Sequence, residues 1–367
     1  MSIFFANPKA GFQDNKNKIL KKISSFIDSG EYVLGSQVKV FEEKFNKFLN
    51  NDGYFVSCAN GTDAITLALF AHGISSGYVI TPSHTAPASI LGIMNAGCKP
   101  LFVDIDPDTA LICINEVVEK LRNKPNIRAI LAVHLYGNGI NMPKLNKVAR
   151  SYNCIVIEDC AQSAGTQILG KYAGTFSDAG TFSFFPTKNL AALGDGGGVW
   201  VSNKKLQTKI ESLRQYGWNK NRVVKVANGM NSRLDELQAV VLQIRLKDLK
   251  RDIQKRRNIA KIYDLNLSSY FERLTYPDFQ FCSFHLYVVK VKHRKKLMNY
   301  MKKHNIFLGI HYTPPNHLNG LLSKFSAKLP ITELLSKEVV SLPIHPELDS
   351  KTQIKIIKTL NNFEDTL

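Results

Sequence analysis

The stretch Ile155-Val156-Ile157-Glu158-Asp159-Cys160-Ala161-Gln162 carries the main evidence for the fold. Its β-branched apolar run is typical of a strand that is buried in a parallel sheet, and the run delivers two acids at its C-terminal end. Successive side chains of a strand point to opposite faces, so only one of Glu158 and Asp159 can face a site there. Ligand sites in open α/β sheets collect at such strand ends. The stretch therefore predicts a buried strand that presents one carboxylate to a ligand.

Short apolar strands alternate with helical patterns from Gly53 to Asn203. The predicted strands are Tyr54 to Ser57, Tyr78 to Thr81, Pro100 to Val103, Ala129 to Val133, Cys154 to Ile157, Ala179 to Phe182 and Gly198 to Val201. Thr62 to His72 and Pro143 to Tyr152 are among the helices between them. This alternation predicts an α/β fold with a mostly parallel central sheet covered by helices.

The C-terminal third is predicted to form a smaller α+β domain. Leu234, Leu237, Val241, Ile244 and Leu249 recur at near-helical spacing, which predicts one long amphipathic helix reaching about Tyr263. At 367 residues the chain exceeds the usual size of a single core. We therefore expect a large domain over residues 1–248 and a small one over 249–367, with the boundary inside this helix. The small domain is predicted from a strand around Leu286 to Val291 and helices around Lys295 to His304 and Lys351 to Asn362.

The composition is that of a globular enzyme with a basic surface. The formal charge of +18 attracts the phosphates of a nucleic acid regardless of its base sequence. The excess is spread over Lys-rich tracts such as Leu246 to Arg257 and Lys290 to Lys303, and no nucleic-acid-binding motif accompanies it. We expect no nucleic-acid partner, although some of this charge could steer an anionic substrate.

The cysteines and the apolar runs indicate a cytoplasmic protein. Six cysteines occur without a Cys-x-x-Cys pair, so neither a disulfide framework nor a zinc site is predicted. No apolar run approaches the roughly 18 residues needed to span a membrane. The apolar stretch within Met1 to Pro8 is also too short for a signal peptide. We expect a cytoplasmic location and no membrane partner.

A lysine stands out in the stretch Phe182-Ser183-Phe184-Phe185-Pro186-Thr187-Lys188-Asn189, which the glycine-rich turn Gly194-Asp195-Gly196-Gly197-Gly198 follows. Most lysines lie on the surface, but that explanation fits poorly between an aromatic strand and a glycine turn. The turn lacks the G-x-G-x-x-G spacing of a dinucleotide fold. The stretch favours a lysine that binds a cofactor.

Seven motifs in order resemble the DegT/DnrJ sugar aminotransferases, which bind pyridoxal phosphate (PLP). Besides the stretches ending at Gln162 and Asn189, they are Asn60-Gly61-Thr62-Asp63-Ala64, Pro82-Ser83-His84-Thr85, Phe102-Val103-Asp104-Ile105-Asp106, Val133-His134-Leu135-Tyr136-Gly137 and Asn231-Ser232-Arg233-Leu234-Asp235-Glu236-Leu237-Gln238-Ala239. The resemblance covers the chain from about Gly35 to the C-terminus. It implies the aspartate-aminotransferase-like fold, PLP fold type I. The detailed form of the lysine motif is Phe-Ser-Phe-Phe-Pro-Thr-Lys-Asn-Leu followed by Gly-Asp-Gly-Gly. This form resembles the branch that aminates C3 of a nucleotide-linked ketosugar more than the branch that aminates C4.

PLP catalysis needs a Schiff-base amine, an acid at the pyridine nitrogen and a phosphate cradle. The resemblance assigns the amine to Lys188 and the acid to Asp159, with Gln162 on the ring hydroxyl. Without the resemblance, Asp159 could be a helix N-cap after a strand, which is a common role for Asp, and Gln162 could be a polar residue in a loop.

The phosphate cradle is predicted from several segments. Gly61 and Thr62 open a helix after a strand, where free N–H groups bind phosphate, although ordinary capping explains most such pairs. Ser183 matches the family's phosphate-binding serine. Asn231 matches an asparagine that reaches the phosphate from the other subunit, which implies a homodimer with shared active sites.

The assignments for the remaining polar residues depart further from the pattern. Family members often carry an aromatic ring just after the threonine of Pro-x-x-Thr, where it stacks on the cofactor. This chain has Ala86 there, so we assign the stacking role to His84. The alternative is a histidine that caps a helix or is solvated. Tyr312 and His317 match a His-Tyr-x-x-Pro-x-His segment that approaches the sugar. His311, Tyr312 and His317 lack a His-Glu-x-x-His spacing or an attendant acid, so no metal is predicted.

The sequence thus predicts a PLP-dependent aminotransferase that moves an amino group from L-glutamate to C3 of a nucleotide-linked 3-keto-6-deoxyhexose, with dTDP as the nucleotide. Such a product serves surface glycan or glycoside synthesis. The alternatives are a C4-aminotransferase acting on a 4-ketosugar and a non-catalytic regulatory protein of the same fold. A family dehydratase would have histidine in place of Lys188.

Overall fold

The computed structural model describes residues 2–50 and 53–367. The strands are β1 (Ile3–Phe4), β2 (Tyr54–Cys58), β3 (Tyr78–Pro82), β4 (Lys99–Val103), β5 (Ile127–Val133), β6 (Ile155–Asp159), β7 (Gln167–Ile168), β8 (Lys171–Tyr172), β9 (Ala179–Ser183), β10 (Gly197–Val201), β11 (Glu272–Arg273), β12 (Tyr287–Lys290), β13 (Ile306–Phe307) and β14 (Val339–Leu342).

The α-helices lie between and after these strands. They are α1 (Pro8–Gln13), α2 (Lys16–Ile27), α3 (Ser36–Phe48), α4 (Gly61–Ala71), α5 (Pro87–Asn95), α6 (Ile114–Asn123), α7 (Met142–Ser151), α8 (Lys204–Leu213), α9 (Glu236–Leu246), α10 (Leu249–Asn266), α11 (Arg294–Lys303), α12 (Pro330–Glu338) and α13 (Ser350–Glu364). In the described ranges, no helix combines the length and the apolar character needed to cross a membrane.

A seven-stranded sheet with the order β2-β10-β9-β6-β5-β3-β4 forms the centre of the molecule. The pairs from β9 to β4 are parallel, and β10 runs antiparallel to both β2 and β9. All seven strands predicted from the alternation of Gly53 to Asn203 are present in it. The α/β class and the mostly parallel sheet are confirmed.

Helices cover both faces of this sheet, which explains why its strands are apolar on both sides. On β3, Val79 belongs to one hydrophobic cluster and its neighbour Ile80 to the other. On β5, Leu131 and Ile130 divide in the same way. This period of two fills both helix–sheet layers, as a buried parallel strand requires.

The C-terminal part contains a second, smaller sheet, β11-β12-β14, which is antiparallel. Tyr287 and Val289 of β12 pack in one cluster with Leu297 of α11 and Ile356 of α13. The strand and both helices predicted for this part of the chain are therefore present, close to their expected bounds.

The predicted single long helix is wrong, because two helices, α9 and α10, meet at a turn over Lys247 and Asp248. The Asp248 carboxylate accepts from Asn15 Nδ2 at 3.0 Å, which ties the turn to the N-terminal segment. Ala239 of α9 packs against the large sheet, whereas Tyr263 of α10 packs in the C-terminal cluster. Leu249 and Ile253 at the start of α10 still belong to the large-sheet cluster, so α10 itself runs from one core to the other. The hydrophobic spacing continues across the turn and does not reveal the break.

Candidate active site

A cavity of about 260 Å³ opens at the carboxyl ends of β6 and β9, beside the N-terminus of α4. Parallel strands place their carboxyl ends at one edge of the sheet, which is where ligands bind in open α/β folds. The predicted site residues that line this cavity are Gly61, Thr62, Asp159, Gln162, Ser183 and Lys188. The structure thus brings six of the predicted residues to one place.

One end of the cavity is suited to an anion. Asn60 caps α4, since its side-chain oxygen accepts from Asp63 N at 2.8 Å. The first-turn amides of Gly61 and Thr62 lie beside Ser183: a Cβ on Gly61 would be only 2.8 Å from the Ser183 Cβ. Glycine therefore lets the serine hydroxyl approach the positive end of the helix, an arrangement that favours phosphate.

Lys188 is half-buried at the cavity, and within the described part of the chain its amine makes no hydrogen bond or ion pair. Burial lowers the pKa of this amine to about 8, although the Asp159 carboxylate acts in the opposite direction. Burial and then the charge of Lys188 lower the pKa of His311 to about 4, and the same causes hold the pKa of His285 well below its usual value. The amine thus has neutral imidazoles around it and one carboxylate as its counter-charge.

Asp159 lies at the end of β6 and is 3% exposed. Its Oδ1 accepts from Ala161 N at 3.0 Å and its Oδ2 accepts from the Ser89 hydroxyl at 2.7 Å. A carboxylate has about four acceptor sites, so two remain available to a ligand in the cavity. The acid that faces the cavity is Asp159, in agreement with the sequence.

Glu158 lies on the opposite face of β6 and is completely buried. Its carboxylate accepts from His134 Nε2 at 3.0 Å and from the backbone N–H groups of Gly174, Phe176 and Ser177 at 2.8, 2.8 and 3.0 Å. Four donors meet its four acceptor sites. Although His134, Glu158 and the Cys160 thiol lie close enough together to hold a metal, protein donors already occupy the glutamate.

Gln162 connects the cavity to Tyr312. The glutamine oxygen accepts from Tyr136 N at 2.7 Å, and its Nε2 donates to the Tyr312 hydroxyl at 2.7 Å. The second hydrogen of Nε2 remains available to a ligand in the cavity. Burial and the Asp159 charge raise the pKa of the Tyr312 phenol, which is therefore neutral and can donate.

His84 is completely buried and is not among the residues that line the cavity. Its Nε2 donates to the Tyr136 hydroxyl at 2.7 Å, since that hydroxyl itself donates to the His311 carbonyl. Burial lowers the pKa of His84 to about 4, so the ring is neutral. This geometry gives the predicted stacking role no support, and Ala86 lies at the cavity instead.

His317 is also fully buried away from the cavity lining. Its backbone N–H donates to Ser83 Oγ at 3.0 Å, and that hydroxyl lies 2.7 Å from the ring Nδ1. The ring Nε2 lies 3.3 Å from the Glu333 carboxylate. His317 therefore fastens its loop to the segment after β3, and the structure does not support its predicted contact with a sugar.

Asn231 is exposed and lies outside the cavity lining of its own chain. The adjacent Ser232 anchors the segment, because its hydroxyl donates to the Asp63 carboxylate at 2.7 Å in the first turn of α4. Glu236 of the same motif caps α3 by accepting from Gln37 N and Val38 N at 2.8 and 3.1 Å. The motif thus holds two tertiary contacts beside an exposed asparagine.

Several cavity residues were not singled out as site residues in the sequence, notably Thr85, Ser89, Phe185 and Asp195. Thr85 precedes the N-cap of α5, and Ser89 lies in the first turn of that helix. Their hydroxyls lie 3.0 Å apart, a contact that the sequence does not signal. The exposed Asp195 and half-exposed Phe185 lie in predicted motifs and carry no separate signal.

Comparisons with known proteins identify the family of the chain. The model of the DegT/DnrJ/EryC1/StrS aminotransferase family matches residues 13–361, and the chain belongs to this family. It is 39% identical over 351 residues to a dTDP-3-amino-3,6-dideoxy-alpha-D-galactopyranose transaminase of Aneurinibacillus thermoaerophilus, covering 95% of this chain and 96% of that protein. It is 34% identical to a pleiotropic regulatory protein of Geobacillus stearothermophilus, covering 96% of both.

The solved structure of DesV from S. venezuelae in complex with a ketimine intermediate superposes with a TM-score of 0.95. The two chains are 30% identical, and the match covers 100% of this chain and 99% of the other. Family and fold define a PLP-dependent aminotransferase acting on nucleotide sugars.

Proposed function

We propose that this enzyme transfers the amino group of L-glutamate to C3 of a dTDP-linked 3-keto-6-deoxyhexose, giving a 3-amino-3,6-dideoxyhexose for surface glycan or glycoside synthesis in the cytoplasm. The observation that carries the proposal is the convergence of Lys188, Asp159 and Ser183 on one cavity. The C3 position and the dTDP nucleotide are supported by the form of the Lys188 motif and by the 39% identity to a dTDP-3-amino sugar transaminase.

The cavity residues fit PLP. Lys188 Nζ is the only cation among the described lining residues and would form the Schiff base, with Asp159 at the ring nitrogen and Gln162 at the ring hydroxyl. Gly61, Thr62 and Ser183 would hold the phosphate, where an added Cβ would close the cradle. When bound, PLP supplies an electron sink for the pair left behind when a proton is removed from carbon.

Lys188 is the residue that moves protons. Its freed Nζ takes the proton from the α-carbon of glutamate and, in the second half-reaction, delivers one to C3 of the sugar. Both tasks need an amine that gains and loses a proton near neutral pH. Burial lowers its pKa to about 8, so a substantial fraction is neutral at pH 7–8, unlike an ordinary lysine.

A second copy of the chain is proposed to complete the site. The cavity of about 260 Å³ is below the roughly 300–1,000 Å³ of typical ligand pockets. Among the described lining residues, no cation besides Lys188 meets the phosphates of the cofactor and the substrate. Asn231, exposed beside the start of α4, is proposed to reach the phosphate of the partner chain in a homodimer.

Turnover of a panel of dTDP-, UDP- and GDP-linked 3-keto and 4-keto sugars with L-glutamate tests the proposal. We expect the dTDP-linked 3-ketosugar to have the highest kcat/KM, with an amine at C3 by NMR. Amination at C4 would replace the C3 assignment. The similarity to a regulatory protein makes a non-catalytic regulatory role the second candidate. A visible cofactor band that does not change when glutamate is added would favour this regulatory role.

A further inference from the structure

Ser89 is a buried hydroxyl at the cavity that the proposed chemistry does not use. It lies in the first turn of α5, is 3% exposed, and lines the cavity. Its Oγ donates to Asp159 Oδ2 at 2.7 Å, a length typical of a charge-assisted O–H···O⁻ bond. The same Oγ lies 3.0 Å from the Thr85 hydroxyl, which also lines the cavity.

The hydrogen bonds between these three side chains have one direction. An ionised carboxylate only accepts, so the single proton of the Ser89 hydroxyl is directed to Asp159. The Thr85 hydroxyl must then donate to Ser89, because Ser89 has no second proton to give. Thr85 Oγ1 donates to Ser89 Oγ, which donates to Asp159 Oδ2, and each bond strengthens the next.

Two segments fix the orientation of the Asp159 carboxylate. Ala161 N binds Oδ1 from the loop after β6, while Ser89 binds Oδ2 from α5. Thr85 is itself held in place, because its carbonyl accepts from Asn316 Nδ2 at 2.8 Å. The carboxylate therefore cannot rotate without breaking a buried bond, and its free acceptor sites stay directed at the cavity.

We infer that Thr85 and Ser89 are positioning residues that hold the Asp159 carboxylate oriented toward the ring nitrogen of the cofactor. This inference rests on the proposed placement of the cofactor against Asp159. The Ser89 bond stabilises the charged carboxylate, and the carboxylate in turn stabilises a proton on the ring nitrogen. Without Ser89, that proton is held less firmly.

The test compares Ser89→Ala with Ser89→Thr, which restores a hydroxyl, and with Thr66→Val as the matched control. Thr66 is 1% exposed and donates to the Gly92 carbonyl of α5, but does not touch Asp159. Two quantities are measured: the affinity of cofactor-free protein for PLP by absorbance titration, and the pH at which the ring nitrogen of the bound cofactor loses its proton, by NMR of PLP labelled with nitrogen-15.

Ser89→Ala should bind PLP about tenfold more weakly, as expected for a lost bond to a charged group, and its bound cofactor should lose the ring-nitrogen proton at lower pH than in the parent. Ser89→Thr should return both quantities toward the parent, and Thr66→Val should leave both unchanged. If Ser89→Ala does not fold, Thr85→Val gives the same test, with an expected loss in affinity of about threefold.

Asp159→Asn separates this inference from the proposed function. If Asp159→Asn is impaired while Ser89→Ala and Thr85→Val bind PLP and titrate like the parent, the positioning role is wrong and the cofactor placement stands. If Asp159→Asn also behaves like the parent, both fail together. An equal change in Thr66→Val would show that any buried hydroxyl near α5 matters, which also overturns the specific role.

Discussion

Glu158 and Asp159 are consecutive acids on one strand, yet the number of protein donors that bind their carboxylates differs. The Glu158 carboxylate accepts from four protein donors, three of them backbone amides. The Asp159 carboxylate accepts from two and faces a cavity. A buried acid with all acceptor sites filled stabilises the fold, whereas one with sites to spare can bind a ligand. Substitutions on the two sides of β6 should therefore have different effects.

The largest effect is expected from Lys188→Ala on the Asp159 side of the strand. Turnover should fall by about 10⁴-fold or more, because no other described cavity residue offers an amine for the Schiff base or the proton transfer. The visible cofactor band should be absent, while the thermal midpoint of the cofactor-free protein stays near that of the parent. The exposed Lys295→Ala is the control. Near-normal turnover in Lys188→Ala would end the aminotransferase proposal.

Asp159→Asn should retain some cofactor and lose roughly 100-fold or more in kcat. A neutral amide cannot stabilise the protonated ring nitrogen, and its NH₂ group would face the Ser89 proton or the Ala161 amide. Steady-state kinetics with a fixed nucleotide sugar would measure the loss. A rate close to that of the parent would reduce Asp159 to a structural acid and remove the contrast with Glu158.

Mixed dimers test whether the cavity face is completed by another chain. Asn231→Asp should be strongly impaired, because a carboxylate facing the phosphate adds repulsion to a lost hydrogen bond. Exchange of equal amounts of Lys188→Ala and Asn231→Asp subunits should restore about a quarter of the parent activity, since half of the dimers are mixed and one of their two sites is intact. No recovery after verified exchange, or a fully active monomer, contradicts the shared site.

Glu158→Gln should show the opposite pattern from Asp159→Asn. Its amide hydrogens would meet backbone N–H donors, so we expect about 2–3 kcal/mol lower free energy of unfolding. The kcat of the folded fraction should stay within about threefold of the parent. Urea unfolding monitored by fluorescence measures the free energy of unfolding. Turnover normalised by active-site titration measures the kcat of the folded fraction. A large kcat loss with unchanged stability would mean that the filled carboxylate has a chemical role.

The smallest effect concerns pH. Only the neutral Lys188 amine can attack PLP, and burial lowers its pKa to about 8. The rate at which cofactor-free protein takes up PLP should therefore rise with pH and level off above about 8. Asp159 acts to raise this pKa, so Asp159→Asn should move the midpoint to lower pH. Stopped-flow absorbance measures it; an unchanged midpoint would show that the two groups do not interact.

The parts of the fold that depend on local sequence were predictable. The seven strands of the central sheet follow from short apolar runs between helical patterns, whereas Lys188, Asp159 and Ser183 were singled out through motifs that resemble the DegT/DnrJ family. The break between α9 and α10 was not predictable, because hydrophobic spacing continues through Lys247 and Asp248, and Leu249 at the start of α10 still packs in the same core as α9.

The positions of His84 and His317 depend on partners that are distant in sequence. His84 is bound by Tyr136, 52 residues away, and His317 by Ser83, 234 residues away. Histidine in a family motif looks the same in sequence whether it faces a ligand or fastens two loops. Only the tertiary contacts distinguish the two roles. The same holds for Ser89, whose link to Asp159 spans 70 residues.

The bond between Ser83 and His317 has a consequence for synthesis of the chain. The segment after β3 that leads into Thr85 and Ser89 is fastened by residues made 234 positions later. At translation rates of about 5–20 residues per second, that interval is roughly 10–50 s. Lys188 is made 129 positions before His317, so for roughly the last 6–26 s of this interval the nascent chain already contains Lys188 while its cavity wall is not yet fastened. A ribosome-bound chain should therefore acquire PLP only near the end of its synthesis.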